Sequence, residues 1–250
     1  MALGTFGLGA LGMPASAALI GAKGFTHGIA SGEPSAEISG NPDFAGTVIA
    51  GEVEALADRD HIAKITVQGL DPNHWYFYRF IAPDGSKSAV GRTRTLPEGP
   101  TRKFTVGVVG CSNLPFGYFN AYAHAAQNRE LDLMVHTGDY LYEYPVGTYP
   151  SKEQMLAGRM IQPSHEMVQL ADYRLRYAAY RSDPDLQRIH QVLPMIAMWD
   201  DHEFANDAYI DGAENHDSSE GDWEARKRVA ERVYREWMPV RDMEYGSPRW

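Results

Sequence analysis

The sequence is poor in three things. It has a single cysteine, Cys111, among 250 residues, so no internal disulfide can form. No run of about 18 apolar residues occurs, which leaves no candidate for a membrane-spanning helix. Bases are also scarce: 23 Lys and Arg face 33 Asp and Glu, for a net charge of −10. Proteins that coat nucleic acid or dock on anionic membranes show basic patches, and none is evident. The acidity does not count against a phosphate substrate, because a bound cation inverts the local field.

What the chain does have is two kinds of grammar. Residues 1–23 are rich in Gly and Ala, with small residues near "PASA". They read as a signal-like or disordered start, although no Lys or Arg precedes Lys23. Residues 24–98 carry strand signals: "AKITVQGL" alternates, "WYFYRFIA" is aromatic and β-branched, and "DPN" and "PDG" are turns. "GLDPNHWYFYRF" is similar to the tyrosine corner of fibronectin-type sandwiches. A small β-sandwich domain is therefore predicted there. "RTLPEGPTRK" reads as a linker.

Residues 99–250 change to strand–helix–strand. "FTVGVVG" (Phe104–Gly110) and "LDLMVHTG" read as buried strands flanking a helix in "YFNAYAHAAQNRE", and "VLPMIAMW" supplies a third strand. A βαβ unit implies a parallel sheet. A helix is predicted over Ser164–Arg181, with Val168, Ala171, Leu175 and Ala178 on one face. Pro184 then opens a short helix, and another runs over Trp223–Met238.

Each strand ends in a reactive group: Cys111 in "VVGCSN", Asp139 in "HTGDYLYEY" and Asp200 in "MWDDHE". Ligand sites of open α/β sheets lie beyond the carboxyl ends of the strands. Taken singly, each residue has a plain explanation. A lone Cys is usually a small buried hydrophobe, and an Asp after Gly is often a turn or cap. Tyr140, Tyr142 and Tyr144 could be core or rim, and "DDHE" a solvated helix start. Of the nine histidines only His202 is placed near the chemistry; His124 and His136 read as structural. Recurrence at successive strand ends points instead to a cation centre, since like charges crowded together need neutralising. Thiolates, carboxylates and amide oxygens are all metal donors.

"GCSNLPFGYFNAYAHAAQNRELDLMVHTGDYLYEY" with "MWDDHEFANDAY" closely resembles the PhoD-type alkaline phosphatases and phosphodiesterases, a branch of the metallophosphoesterases. "FTHGIASGEP" is similar to the opening of that family's N-terminal domain, against which this one is shortened: only "EISG" separates "SGEPSA" from "NPDFAG", where the family runs through further strands. The resemblance implies an α/β metallophosphoesterase-like domain after the sandwich, and a Fe3+–Ca2+ centre that hydrolyses phosphate esters, including phospholipid head groups in some relatives. It implies a periplasmic or secreted location. On this chain Asp139 would be shared between metals, Cys111 and Tyr142 would bind iron, and Asp200 would bind calcium. The family's amide-type ligand falls at Asp207, with Asn206 one residue earlier. His202 joins Asp139 and Asp200 as a candidate catalytic residue. The family's further Asp/His motif lies downstream of Trp250, so the catalytic domain is expected to be incomplete as written. A non-catalytic module with a degenerate metal site is the competing expectation.

Overall fold

The computed structural model describes residues 34–46 and 48–240, together with the backbone of two early strands. Those strands, β1 (Gly4–Phe6) and β2 (Ala18–Lys23), lie in the start that reads as signal-like. They form an antiparallel sheet in the order β1-β2-β5 with Ile62–Val67 (β5). A second antiparallel sheet joins β3 (Ser35–Ser39), β4 (Val48–Glu52), β6 (Trp75–Ile81) and β7 (Gly91–Arg94) in the order β4-β3-β6-β7. Strict alternation along β6 turns Tyr76, Tyr78 and Phe80 inward. There they meet Ala36, Ile38, Ala63 and Val67 in a small core between the sheets. The predicted corner forms: the Asp71 N–H donates to the Tyr76 hydroxyl at 2.8 Å, over a buried Leu70.

The second half holds a parallel sheet, β10-β9-β8, from Met195–Ala197 (β10), Leu133–His136 (β9) and Val106–Val109 (β8). Helix α1 (Asn120–Gln127) connects β8 to β9, as the strand–helix–strand pattern requires. One expectation fails here. β8 is not a buried strand; it is the sheet's edge and turns Val106 and Val108 outward, at 43% and 66% exposure.

Three further helices cover the sheet: α2 (Leu170–Arg181), α3 (Pro184–Val192) and α4 (Trp223–Trp237). α2 starts later than predicted. The buried Arg176 guanidinium takes the carbonyls of Tyr142, Gln162, Pro163 and His165, which holds the preceding chain as a loop. A reciprocal cap between Gln169 and Asp172 then opens the helix. Its inner face also differs from the expected one. Tyr173, Tyr177 and Tyr180 point into the core, whereas Leu175 is 48% exposed. Three- and four-residue spacing fits both sets, so periodicity alone could not choose between them. Asp183 caps α3 ahead of Pro184, and Ala230, Val233 and Trp237 bury one side of α4. Among the described residues no helix is long and apolar enough to cross a membrane.

Candidate metal centre

The three parallel strands run out into turns on one edge of the sheet. Cys111 follows β8 with φ 55°, and Asp139 follows β9 with φ 52°. Left-handed backbone at a non-glycine residue costs about 1–3 kcal/mol and persists only where its surroundings impose it. Here the two turns brace each other: Cys111 N–H donates to the Gly138 carbonyl at 3.1 Å, and Ser112 N–H to that of Asp139 at 2.8 Å. Gly138, at φ 108°, must be glycine, since a Cβ there would lie 2.6 Å from the Asp200 nitrogen. The β9 and β10 ends close on each other at that point.

Glu203 fastens the closure. Its fully buried carboxylate accepts from the backbone N–H of Asp139 (3.2 Å), Tyr140 (2.7 Å) and Asp200 (2.8 Å). Burial pushes Glu203 up to about 7, while the Tyr140 and Asp200 donors pull the other way.

Asp139 is the hub. Its Oδ2 accepts from the Cys111 thiol at 3.4 Å and from the Tyr142 hydroxyl at 3.3 Å. Its Oδ1 is buried with no hydrogen-bond partner. An unsatisfied buried acceptor costs about 1–3 kcal/mol. Proton affinities carry the same message. Burial raises Cys111, and the Asp139 carboxylate adds to it. Burial raises Tyr142 still further, again with Asp139 and Cys111 contributing. Asp139 is itself raised by burial, with Asp200 and Asp201 adding and His202 opposing. Each group resists becoming an anion because it is desolvated, and neighbouring anions add to that resistance. A cation would reverse the sign for all three.

His202 lies beside this hub. Its ring packs against that of Tyr142 at 4.1 Å between centroids, tilted by 37°, and its Nδ1 meets Glu143 Oε2 at 2.8 Å. A proton on Nδ1 leaves Nε2 as the free acceptor nitrogen. Burial lowers His202, but the Glu143 hydrogen bond and charge outweigh it and leave its pKa raised. Asp139, Asp201 and His202 bring ligand atoms within 4.8 Å of one another, close enough for one ion.

The other predicted residues take several positions. Asp200 is exposed; its backbone is tied to Glu203 and its field is felt by Cys111 and Asp139. The Asn206 amide is turned to Glu214, while its backbone N–H donates to Glu143 at 2.7 Å. Asp207, at φ 49°, is exposed, and its N–H caps Asp201 at 2.6 Å. Three residues were not singled out from the sequence: Asp201, Glu143 and Glu203. The signal for Glu143 was its place in the aromatic run "YLYEY", since an acid buried among aromatics must be paired.

Parallel strands that deliver a thiol, a phenol and acids to one end of a sheet make a candidate cation site. Residues 104–249 match the family described as PhoD-like phosphatase, and residues 35–97 match the PhoD-like phosphatase N-terminal domain. The chain belongs to the PhoD-like phosphatase family. Alkaline phosphatase D of Bacillus subtilis (strain 168) is 35% identical over 207 residues, 82% of this chain and 34% of that protein. A solved structure of PhoD superposes with a TM-score of 0.82 and 30% identity, covering 95% of this chain and 46% of that one. Purple acid phosphatase PPD1 from yellow lupin (Lupinus luteus) seeds shares the fold at a TM-score of 0.58 and 15% identity, over 90% of this chain and 39% of its own. The chain thus spans between 34% and 46% of the length of these relatives.

Proposed function

We propose that this chain carries part of a metal-dependent phosphate-ester hydrolase acting outside the cytoplasm, in the periplasm or after secretion. The observation that carries the reading is the Asp139 carboxylate, whose Oδ1 is buried without a partner while its Oδ2 takes a thiol and a phenol that both resist ionisation. The donor set fits two different ions. A thiolate and a phenolate suit Fe3+, and hard oxygens suit Ca2+. In this reading Cys111, Tyr142 and Asp139 would hold the iron. Asp139, Asp200 and an oxygen from Asn206 or Asp207 would hold the calcium. Family membership and the phosphatase relatives support the reaction class. The substrate is a small phosphate ester, or the head group of a phospholipid.

When bound, such a pair supplies Lewis-acid stabilisation and an acidified water. The chain's own residues do the rest. Glu203 fixes the Asp139 and Asp200 backbones, so that the carboxylates stay in place as charge develops. Glu143 orients His202 and keeps it basic enough to hold a proton for the leaving oxygen. The division into a fibronectin-type sandwich over 24–98 and a catalytic domain over 99–250 belongs to the same proposal. The two family matches, which meet between residues 97 and 104, support it.

The test is elemental analysis and aryl-phosphate hydrolysis on protein grown with iron and calcium. Bound metal and turnover are expected, and Asp139→Asn should remove both while circular dichroism stays unchanged. Folded protein that neither binds metal nor turns over would favour the non-catalytic module instead.

A further inference from the structure

Beside the hub, on the Cys111 side, a cleft of about 590 Å³ opens between the turn after β8 and the chain around Tyr149. This volume lies within the range of about 300–1,000 Å³ usual for small-molecule sites. Its lining is aromatic: Phe116, Tyr118, Phe119, Tyr122, Tyr142 and Tyr149. Three of these rings are unusually open, with Phe116 at 42%, Tyr118 at 63% and Tyr149 at 48% exposure. Large aromatics left in solvent around one concavity mark a surface built to be covered.

The rings also form a continuous wall from the centre outward. His202 packs on Tyr142 at 4.1 Å, Tyr142 on Tyr149 at 5.8 Å, and Tyr149 on Phe116 at 5.0 Å, edge to face at 76°. The outer part is held in place: Asn113 Nδ2 donates to the Tyr149 carbonyl at 3.4 Å, and Leu156 N–H to that of Pro115 at 2.9 Å. Tyr142 and Cys111 belong to both cleft and hub. The alcohol portion of an ester whose phosphoryl group sat at the hub would have this wall within reach.

Resting on the phosphoesterase reading, we propose that the cleft is the subsite for the alcohol portion of the ester, and that it selects a flat ring of the nucleoside kind over an open-chain polyol. Stacking a base on an aromatic side chain contributes about 1–3 kcal/mol. Aromatic walls can also hold a quaternary ammonium group. Here the Arg159 guanidinium already lies 5.4 Å from the Tyr118 ring centroid and 4.9 Å from that of Phe119. Arg159, ion-paired with Asp183, already takes the cation's place at those two rings, which leaves the exposed rings of Phe116 and Tyr149 to stack on a neutral ring.

The test compares two primary-alcohol esters of similar reactivity, adenosine 5′-monophosphate and glycerol 3-phosphate, with phosphocholine as the third arm. On metal-loaded protein kcat/KM should be at least about 10-fold higher for the nucleotide. Phe116→Ala and Tyr149→Ala should each raise KM for the nucleotide about 10-fold and leave glycerol 3-phosphate unchanged. Adenosine itself, titrated calorimetrically, should bind wild type and lose affinity in both variants, with or without metal. Equal rates on the two esters, or preference for phosphocholine, would overturn the subsite assignment while leaving the hydrolase reading intact. Absence of turnover on every ester, with adenosine still bound at Phe116 and Tyr149, would sink the hydrolase reading and keep the ring site. Adenosine binding that neither variant weakens overturns the subsite.

Discussion

His136 and Asp139 stand three residues apart at the end of β9, both among tyrosines, and their surroundings treat them oppositely. His136 is finished. Its Nε2 has Tyr122 at 3.0 Å and Ser112 at 3.2 Å, its Nδ1 accepts from Gly138 N–H at 3.3 Å, and burial holds it down to about 4. Behind it, His190 and Tyr140 form a second completed pair at 2.8 Å. Asp139 is unfinished: one oxygen serves two donors weakly, and the other has none. His136 and His190 are satisfied by protein, although the buried hydroxyls of Tyr177, Tyr180 and Tyr234 are not. What sets Asp139 apart is that its bare oxygen belongs to a carboxylate crowded by a thiol, a phenol and further acids. An incomplete hydrogen-bond shell together with a concentration of ionisable groups, and not either alone, separates chemistry from structure here.

The comparison can be broken most severely at Asp139. Asp139→Asn should abolish hydrolysis outright and still melt as a folded protein. His136→Asn should instead lower the melting temperature and spare the chemistry of whatever folds. Turnover and calorimetry on the two variants check both halves.

Acid provides the next largest effect. An unfolded His titrates near 6.5, whereas His136 in the folded chain is held near 4. The unfolded state therefore takes up the proton first. Stability from the neutral ring is fully present above pH 6.5 and is lost as pH falls, by about 3 kcal/mol at pH 4. Urea midpoints at pH 7, 5.5 and 4 should trace that loss, and His136→Gln should flatten the curve.

A milder cut separates holding from binding. Glu143→Gln keeps the shape but weakens the grip on His202, so metal affinity or activity should fall about 10–100-fold. The alkaline limb of the rate profile should shift to lower pH, because His202 loses the charge that raises it. Tyr76→Phe should do least. It removes the hydroxyl that accepts from Asp71 and should cost about 1 kcal/mol in urea, with activity unchanged.

How much of this could be read beforehand follows from which interactions are local. Strands with β-branched runs, Asp183–Pro184 as a helix start and the corner around Leu70 and Tyr76 are local signals, and all appear. Convergence of Cys111, Asp139 and Asp200 was legible because parallel strands deliver their ends to one edge. What escaped was set by long-range partners. Arg176 delays α2 through carbonyls up to 34 residues away, and no pattern within the helix announces that. Val108 looks buried in sequence and is exposed because, among the described residues, nothing covers the face of β8 that it shares with Val106. Within "DDHE", the choice of Asp201 to join Asp139 and His202 depends on how the turn after β10 folds.

The most direct measurement is the visible spectrum of the chain loaded with Fe3+, taken beside Tyr142→Phe. The account predicts a coloured protein whose phenolate charge-transfer band disappears in the variant while bound iron, by elemental analysis, persists or falls. A folded protein that stays colourless and iron-free, or a band that Tyr142→Phe leaves untouched, would contradict the claim that a cation gathers these groups.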